Sequence, residues 1–386
     1  MSRDNIPLQE STLPAVRTEY HASSALFRLA TIADDAEIRA LLRENDMDSW
    51  VNLAFEREPS FFAGESLLGA STAVIALDKE GQHTPIGMYT CDLLPVHING
   101  QVSFAGYLGG LRVNQKYRGR IRILKDGFAS IPHLVTNQEK MSCWFTSVAQ
   151  GNSKARRILE AGLKNMPIYR LAGSIETLAF STRQGKYKGL LQKATIRDVP
   201  ALCNFFNQQA SAFQFSPLLT EAWLLSLNGQ HGLKLEDFWL LKYGNELSGC
   251  LAIWDQRKFK QTVVRGYRFP FNKFRGAYNL LAMARGKVRL PAPGEKLEQV
   301  FISFFALSKH AQNLAVEVIS DALLHALDKS ASVGTLGLSN QNPLTSTLQT
   351  ALNPDSYRTR IETVTWPDTD LTELDDRPVQ PEVAVL

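Results

Sequence analysis

The clearest periodic signal in the chain lies between Gln101 and Val113. Val102, Phe104, Gly106 and Leu108 alternate with the residues between them, the period of a half-buried strand. Gly109 and Gly110 interrupt the alternation before Leu111, Arg112 and Val113 resume it. Paired glycines inside a strand point to a bulge or to a close approach by another backbone. Downstream, Ile121, Leu124, Phe128 and Ile131 recur at helical spacing, and Pro132 marks the expected helix end. Applied from the start of the chain, the same two periods predict a strand over 26–30 and a helix over 34–44 with Ile38, Leu41 and Leu42 on one face. Antiparallel strands follow over 72–77 and 86–94. Beyond the helix at Ile121 come a strand over 142–148, a helix over 153–163 and closing strand material at 177–180. This order predicts a mixed α/β (α+β) sheet with helices on both faces, not a repetitive βαβ array.

Part of the pattern occurs twice. Ala30-Thr31-Ile32-Ala33-Asp34-Asp35 precedes one helix and Ala194-Thr195-Ile196-Arg197-Asp198 another, each Asp standing where a cap or first-turn anion belongs. AVIALDKEGQHTPIGMYTCDL resembles FWLLKYGNELSGCLAIWDQ, and Gly151-Asn152-Ser153 and Gln341-Asn342-Pro343 each open a helix after an apolar strand. The offset grows from about 164 to about 190 residues, so the second copy carries an insertion of roughly 26. Two tandem domains are expected, over 25–182 and 188–366, with a loose arm at 1–24 and a disordered acidic tail at 367–386. In the second copy, 301–308 corresponds to the glycine-interrupted strand, but no arginine–glycine loop follows it. That copy is expected to lack the ligand-binding loop of the first and to shape the first copy's site or a homodimer.

Composition narrows the class. Hydrophobic residues make up 44% and charged residues 21%, as in soluble globular proteins. No apolar run approaches the roughly 20 residues that span a bilayer. The four cysteines have neither metal-type spacing nor a disulfide framework, so a cytoplasmic protein with no metal is expected. The formal charge of +4 is unevenly spread, because no acidic residue lies between Arg257 and Arg289. Cations interleaved there with Phe259, Tyr267, Phe269, Phe271, Phe274 and Tyr278 fit single-stranded nucleic acid, an anionic membrane surface, or a domain or subunit contact that buries the aromatics. The last is the expected use.

The chemistry concentrates after Val113. Lys116, Arg118, Arg120 and Arg122 surround Gly119 where a helix opens, which joins free amides, the positive end of a helix dipole and side-chain charge, a combination suited to a pyrophosphate. The run Val113-x-x-x-Tyr117-Arg118-Gly119-Arg120 with its helix, followed by CWFTSV and Asn152-x-x-Ala155-x-x-Ile158-Leu159-x-x-Gly162, resembles the acyl-CoA-binding motifs of the GNAT superfamily of N-acyltransferases. With FEREPSFF and YLGGLRV it is also similar to tandem, two-copy GNAT proteins of bacteria.

The resemblance implies roles. Main-chain groups of Leu111, Arg112 and Val113 would meet the pantetheine arm, and an N–H near Leu111 would face the thioester carbonyl. Amides from Arg118 through Gly119, Arg120, Ile121 and Arg122 to Ile123 would take the pyrophosphate, and Asn152 would steady the splayed strand end or touch the pantetheine. The co-substrate would be acetyl-CoA or another acyl-CoA, and the acceptor a small-molecule or peptide amine attacked directly. Ile121 and Ile123 stand where the family favours small residues, and Leu159 where many relatives carry an acid tyrosine. Tyr107, Tyr169 and Asp92 are the remaining candidates for acid and base, with His97 beside Asp92 in sequence. The alternatives are a non-catalytic acyl-CoA-binding regulator and an aminoacyl or peptide transferase.

Overall fold

Each half of the molecule begins with the same cap. The Thr31 side chain and Asp34 carboxylate form a reciprocal capping box, and Thr195 and Asp198 repeat it. The Asp34 oxygen accepts from the Thr31 amide at 2.8 Å and the Asp198 oxygen from the Thr195 amide at 2.8 Å. Such caps satisfy the donors that a helix start leaves open. The computed structural model describes residues 17–46, 51–65, 67–78, 85–135, 138–244, 246–285, 287–366 and 372–386.

The first half runs β1 (Glu19–His21), β2 (Leu26–Leu29), α1 (Asp35–Glu44), β3 (Val51–Glu56), β4 (Ala70–Leu77), β5 (Pro85–Ile98) and β6 (Gln101–Val113). It continues through α2 (Ile121–Leu134), β7 (Cys143–Ala149), α3 (Ser153–Leu159) and β8 (Ile168–Ser181). In the second half come β9 (Leu191–Lys193), α4 (Val199–Ala210), α5 (Glu221–Ser226), β10 (Phe238–Tyr243), β11 (Glu246–Trp254), β12 (Gln261–Tyr267) and α6 (Phe271–Ala284). It closes with β13 (Gln299–Leu307), α7 (Ala315–Asp328), β14 (Val333–Ser339), α8 (Pro343–Leu352) and β15 (Asp355–Thr365).

One sheet collects all of these strands except β3 and β12, in the order β1-β2-β4-β5-β6-β7-β15-β8-β14-β13-β11-β10-β9. Pairing is antiparallel except at β6·β7 and β13·β14, which are parallel. With β1 set aside, the order reads alike from either end about β15 and β8, so the duplication is structural. The two halves exchange strands at their junction: β15 lies between β7 and β8, while β8 pairs with β14.

Helices cover both faces. In the first half, Ile123, Phe128, Ile131 and Leu134 of α2 pack with Phe27, Val74, Leu108 and Trp144, while Ile38, Leu41 and Leu42 of α1 meet Ile75 and Met88 on the opposite face. Alternation along the strands sends successive side chains to these two layers. In the second half, α7 buries Val318, Ile319 and Leu323 against Leu251, Ile302 and Leu336, and α4 covers the other face.

Several sequence expectations change. Residues 372–386 are not a disordered tail: Val379 and Ala384 are fully buried between the halves, because they fill apolar space beside Phe145 and Phe304. Residues 367–371 and 1–16 lie outside the described residues, and 17–24 contribute β1. Pro132 does not end α2, which continues to Leu134, since a proline in the last turn removes a bond the helix can spare. By contrast, α3 stops at Leu159. His97 lies within β5, buried, its backbone N–H donating to Ser216 of the second half at 2.8 Å.

The insertion bridges the halves through β12, which pairs antiparallel with β3. Phe259 and Tyr267 are buried there, as expected of a contact between domains, but Phe269 and Phe274 are not.

Candidate functional site

The glycine pair forms a bulge. Pairing between β5 and β6 slips between Met88 and Thr90, opposite Gly109–Arg112, and Gly110 takes φ +60. A side chain at Gly110 would be strained by that angle and would press on Thr90 at 3.0 Å. On its other edge β6 pairs with β7 only from Ala105↔Cys143 to Leu108↔Thr146. The Thr146 hydroxyl closes that ladder by donating to the Leu108 carbonyl at 2.7 Å. Beyond this point β6 stays with β5 through Val113 while β7 turns to β15, so a wedge opens along Gly109–Val113. Leu111 is exposed at its mouth.

At the far end of the wedge stands the cationic loop. Gly119 adopts φ +85, where only glycine is unstrained, and α2 begins two residues later. The amides of Arg118, Arg120, Ile121 and Ile123 are already bonded to carbonyls of the turn. Those of Gly119 and Arg122 have no backbone partner among the described residues. Ile123 is buried in the core under α2 and leaves the phosphate side clear, whereas Ile121 is exposed. The Arg118 guanidinium donates to Asn45 Oδ1 at 2.8 Å, and Arg120 lies 4.8 Å from the Tyr117 ring centroid. Lys116, Arg118, Arg120 and Arg122 all face solvent. Asn152 caps α3, its side-chain oxygen accepting from the Ala155 amide at 3.1 Å.

Behind the bulge lies a cluster of charges. Asp92 on β5 pairs with Tyr107 on β6 and, across β4, with Ser71. Burial pushes the Asp92 carboxyl up to about 6, against the Ser71 hydrogen bond and the charges of Arg57 and Lys260. Burial, then the neighbouring Asp92 charge, raises Glu65 to about 7, with Arg57 opposing. Lys260 falls to about 7, through burial first and the Arg57 cation second. Its Nζ donates to the main-chain oxygens of Ala384 and Leu386, each at 3.0 Å. The Tyr107 hydroxyl, pushed up to about 12 by burial, lies 2.8 Å from the Ser147 hydroxyl, just past the end of the β6·β7 ladder.

Of the sequence candidates, Asp92, Tyr107, Leu111, Arg112 and Val113 are therefore brought together, with Arg118–Ile123 at the wedge's other end. Tyr169 is not. It packs edge-on to Phe128 beneath α2, in the other core layer from Tyr107. Leu159 is buried in that same layer. Sequence reasoning missed Arg57, Glu65 and Lys260. Arg57 lies in the FEREPSFF stretch, which gave no sign of where its side chain goes, Glu65 follows in a stretch with no periodic pattern, and Lys260 arrives only through the β3·β12 pairing. Among the described residues no cluster of His, Cys, Asp or Glu could hold a metal ion.

The second half repeats the bulge and closes it. Pairing between β11 and β13 slips between Cys250 and Ala252, and Phe304 takes φ +52 where the first copy has Gly110. The ladder between β13 and β14 likewise ends early, at Phe301↔Thr335. Here the chain's C-terminal stretch enters. Glu382 Oε2 accepts from the Phe304 amide at 2.9 Å, Gln380 Oε1 accepts from the Ser339 amide at 3.2 Å, and Val383 packs on Gly337 so closely that no Cβ would fit.

No family model and no curated protein sequence matches this chain. Among solved structures, N-myristoyltransferase of Saccharomyces cerevisiae with bound myristoyl-CoA is similar over 94% of this chain and 90% of its own, with TM-score 0.61 at 11% identity. A second structure of that enzyme with myristoyl-CoA covers 94% of this chain and 85% of its own, with TM-score 0.58 at 10% identity. The fold is thus a duplicated GNAT-like fold, shared with that enzyme.

Proposed function

We propose that this protein is an acyl-CoA-dependent N-acyltransferase whose first half binds one acyl-CoA per chain. The observation that carries the reading is the wedge between β6 and β7, with a bulge at its closed end and a cationic helix start at its mouth. The pantetheine would lie along Gly109–Val113, and the pyrophosphate against the Gly119 and Arg122 amides with Arg118 and Arg120 as charge partners. Similarity to an enzyme solved with myristoyl-CoA supports an acyl-CoA as donor, and acyl chains from acetyl upward belong in the test.

The acceptor amine would approach from the Asp92 side. Its nitrogen attacks the thioester carbon, the C–S bond breaks, and an N–H near Leu111 stabilises the oxyanion. Asp92 takes the proton lost by nitrogen, and the Tyr107–Ser147 hydroxyl pair supplies one to the thiolate. The second half would bind no donor, because Gln380–Val383 fills its wedge.

Calorimetric titration with acyl-CoAs of increasing chain length, followed by thiol release against a panel of amines, tests this reading. One site per chain is expected. Replacing Arg118 and Arg120 together by Ala removes two charge-assisted contacts and should weaken binding by about tenfold or more for each. Tight binding with no thiol release from any acceptor would overturn the enzymatic reading, and no binding by the folded protein would overturn the site.

A further inference from the structure

The helix α6 and the turn before it gather several large apolar side chains at the surface within fifteen residues. Phe274, Ala277, Leu281 and Ala284 form a stripe at spacings of three and four, the period that aligns residues on one helix face. Phe274 is 58% exposed, Leu280 69%, Leu281 50% and Met283 48%, and Phe269 in the preceding turn is 73% exposed. The opposite face is already engaged: Phe271 and Tyr278 pack around Leu290, Asn279 Nδ2 donates to the Leu290 carbonyl at 2.9 Å, and Ala282 is buried. An exposed apolar patch of this kind marks an interaction surface.

Charge identifies the occupant. Residues 257–289 hold ten of the chain's 42 Lys and Arg and none of its 38 Asp and Glu, so the rest of the chain carries 32 cations against 38 acids. Arg257, Lys260 and Arg265 spend their charge within the fold, on Asp255 and Glu298, on buried main-chain oxygens, and on Glu56. Lys273, Arg285 and Arg289 make no ion pair among the described residues, and on α6 and its cap Lys273 and Arg285 border the apolar stripe. A second copy of the chain meeting the same face would set these cations against each other with no acid from the segment between them. Nucleic acid would match the charge and could stack on Phe269 and Phe274, but the aliphatic Leu280, Leu281 and Met283, about half exposed or more, give bases no ring and suit acyl chains instead.

We infer that α6 docks the protein on an anionic membrane surface, its Phe274–Leu281 stripe entering the headgroup–acyl boundary while Lys273, Arg285 and Arg289 meet lipid phosphates. The docking stands apart from the acyl-CoA wedge and does not depend on it.

Co-sedimentation of the full chain with vesicles tests it, using phosphatidylcholine alone and phosphatidylcholine with about one third phosphatidylglycerol. Binding is expected on the anionic vesicles only. It should fall by about fivefold for each cation neutralised in Lys273→Gln and Arg285→Gln. It should vanish in Leu280→Ser/Leu281→Ser, whose exposed positions leave the fold and its circular dichroism unchanged. No binding to anionic vesicles, or equal binding by the serine variant, would overturn the proposal. Retention on single-stranded RNA without vesicle binding would replace it with a nucleic-acid surface. A dimer that dissociates in the serine variant, without vesicle binding, would replace it with self-association.

Discussion

As the proposed base, Asp92 can take a proton only while ionised, and its surroundings place that change inside the working range. With its carboxyl held up to about 6 by burial, the fraction able to accept a proton falls as pH drops through that value. The rate of thiol release under kcat/KM conditions should therefore decline on the acid side of about 6. Glu65 and Lys260, both near 7, share the cluster, so the acid limb belongs to the group and should be broader than a single titration. Asp92→Asn keeps the size and removes the base, and should lower kcat by about a hundredfold or more at neutral pH while leaving acyl-CoA binding intact. An unchanged pH–rate profile in that variant would remove Asp92 from the chemistry. At this scale the sequence offered Asp92 and Tyr107 as candidates, because both lie on the strands that meet at the glycine pair. It could not show Arg57 or Lys260, whose neighbours are set by pairing across some 200 residues.

The capping boxes carry the clearest argument at the scale of elements. Asp34 bonds the Thr31 amide, the Thr31 hydroxyl and the Arg28 guanidinium, and the Arg28 hydrogen bond is the largest influence holding its carboxyl down to about 2. A carboxylate depressed in the folded state stabilises it fully above its unfolded value of about 3.9, and this stability is lost as pH falls toward 2. Asp34→Asn should therefore cost about 2 kcal/mol in urea unfolding at pH 7, and the gap to the wild-type protein should narrow below about pH 4. A gap that stays constant with pH would show that the charge contributes nothing. These caps were legible because they are local: four consecutive residues define each. The bulge was legible for the same reason, from Gly109-Gly110. Its counterpart was not, since Phe304 gives no sign in sequence of a left-handed backbone. Nor was the end of α2, where Pro132 is tolerated in a last turn.

For the whole molecule, the decisive fact is the exchange of strands at the centre of the sheet. Between β7 and β8 of the first half stands β15, registered from Val364↔Trp144 to Thr359↔Ala149 on one side and from Thr365↔Ile168 to Asp355↔Ala179 on the other. Ile361 of β15 is fully buried with Phe145 and Ile175, and Val379 from the C-terminal stretch joins the same cluster. A boundary near residues 181–188, where the repeat divides the chain, therefore separates two sequence copies without separating two closed cores. The first copy alone would leave the edges of β7 and β8 unpaired and that cluster open to water, which favours association over folding. Residues 17–187 expressed alone should be insoluble or loosely packed, with poor dispersion of amide resonances. Co-expression with residues 188–386 should restore a soluble complex that binds acyl-CoA. The intact chain should unfold in one calorimetric transition whose van't Hoff and calorimetric enthalpies agree, because neither core can open without breaking the strands it lends to the other. Two separable transitions, or a stable isolated first half, would mean that the exchanged strands contribute little and that the copies fold as independent domains.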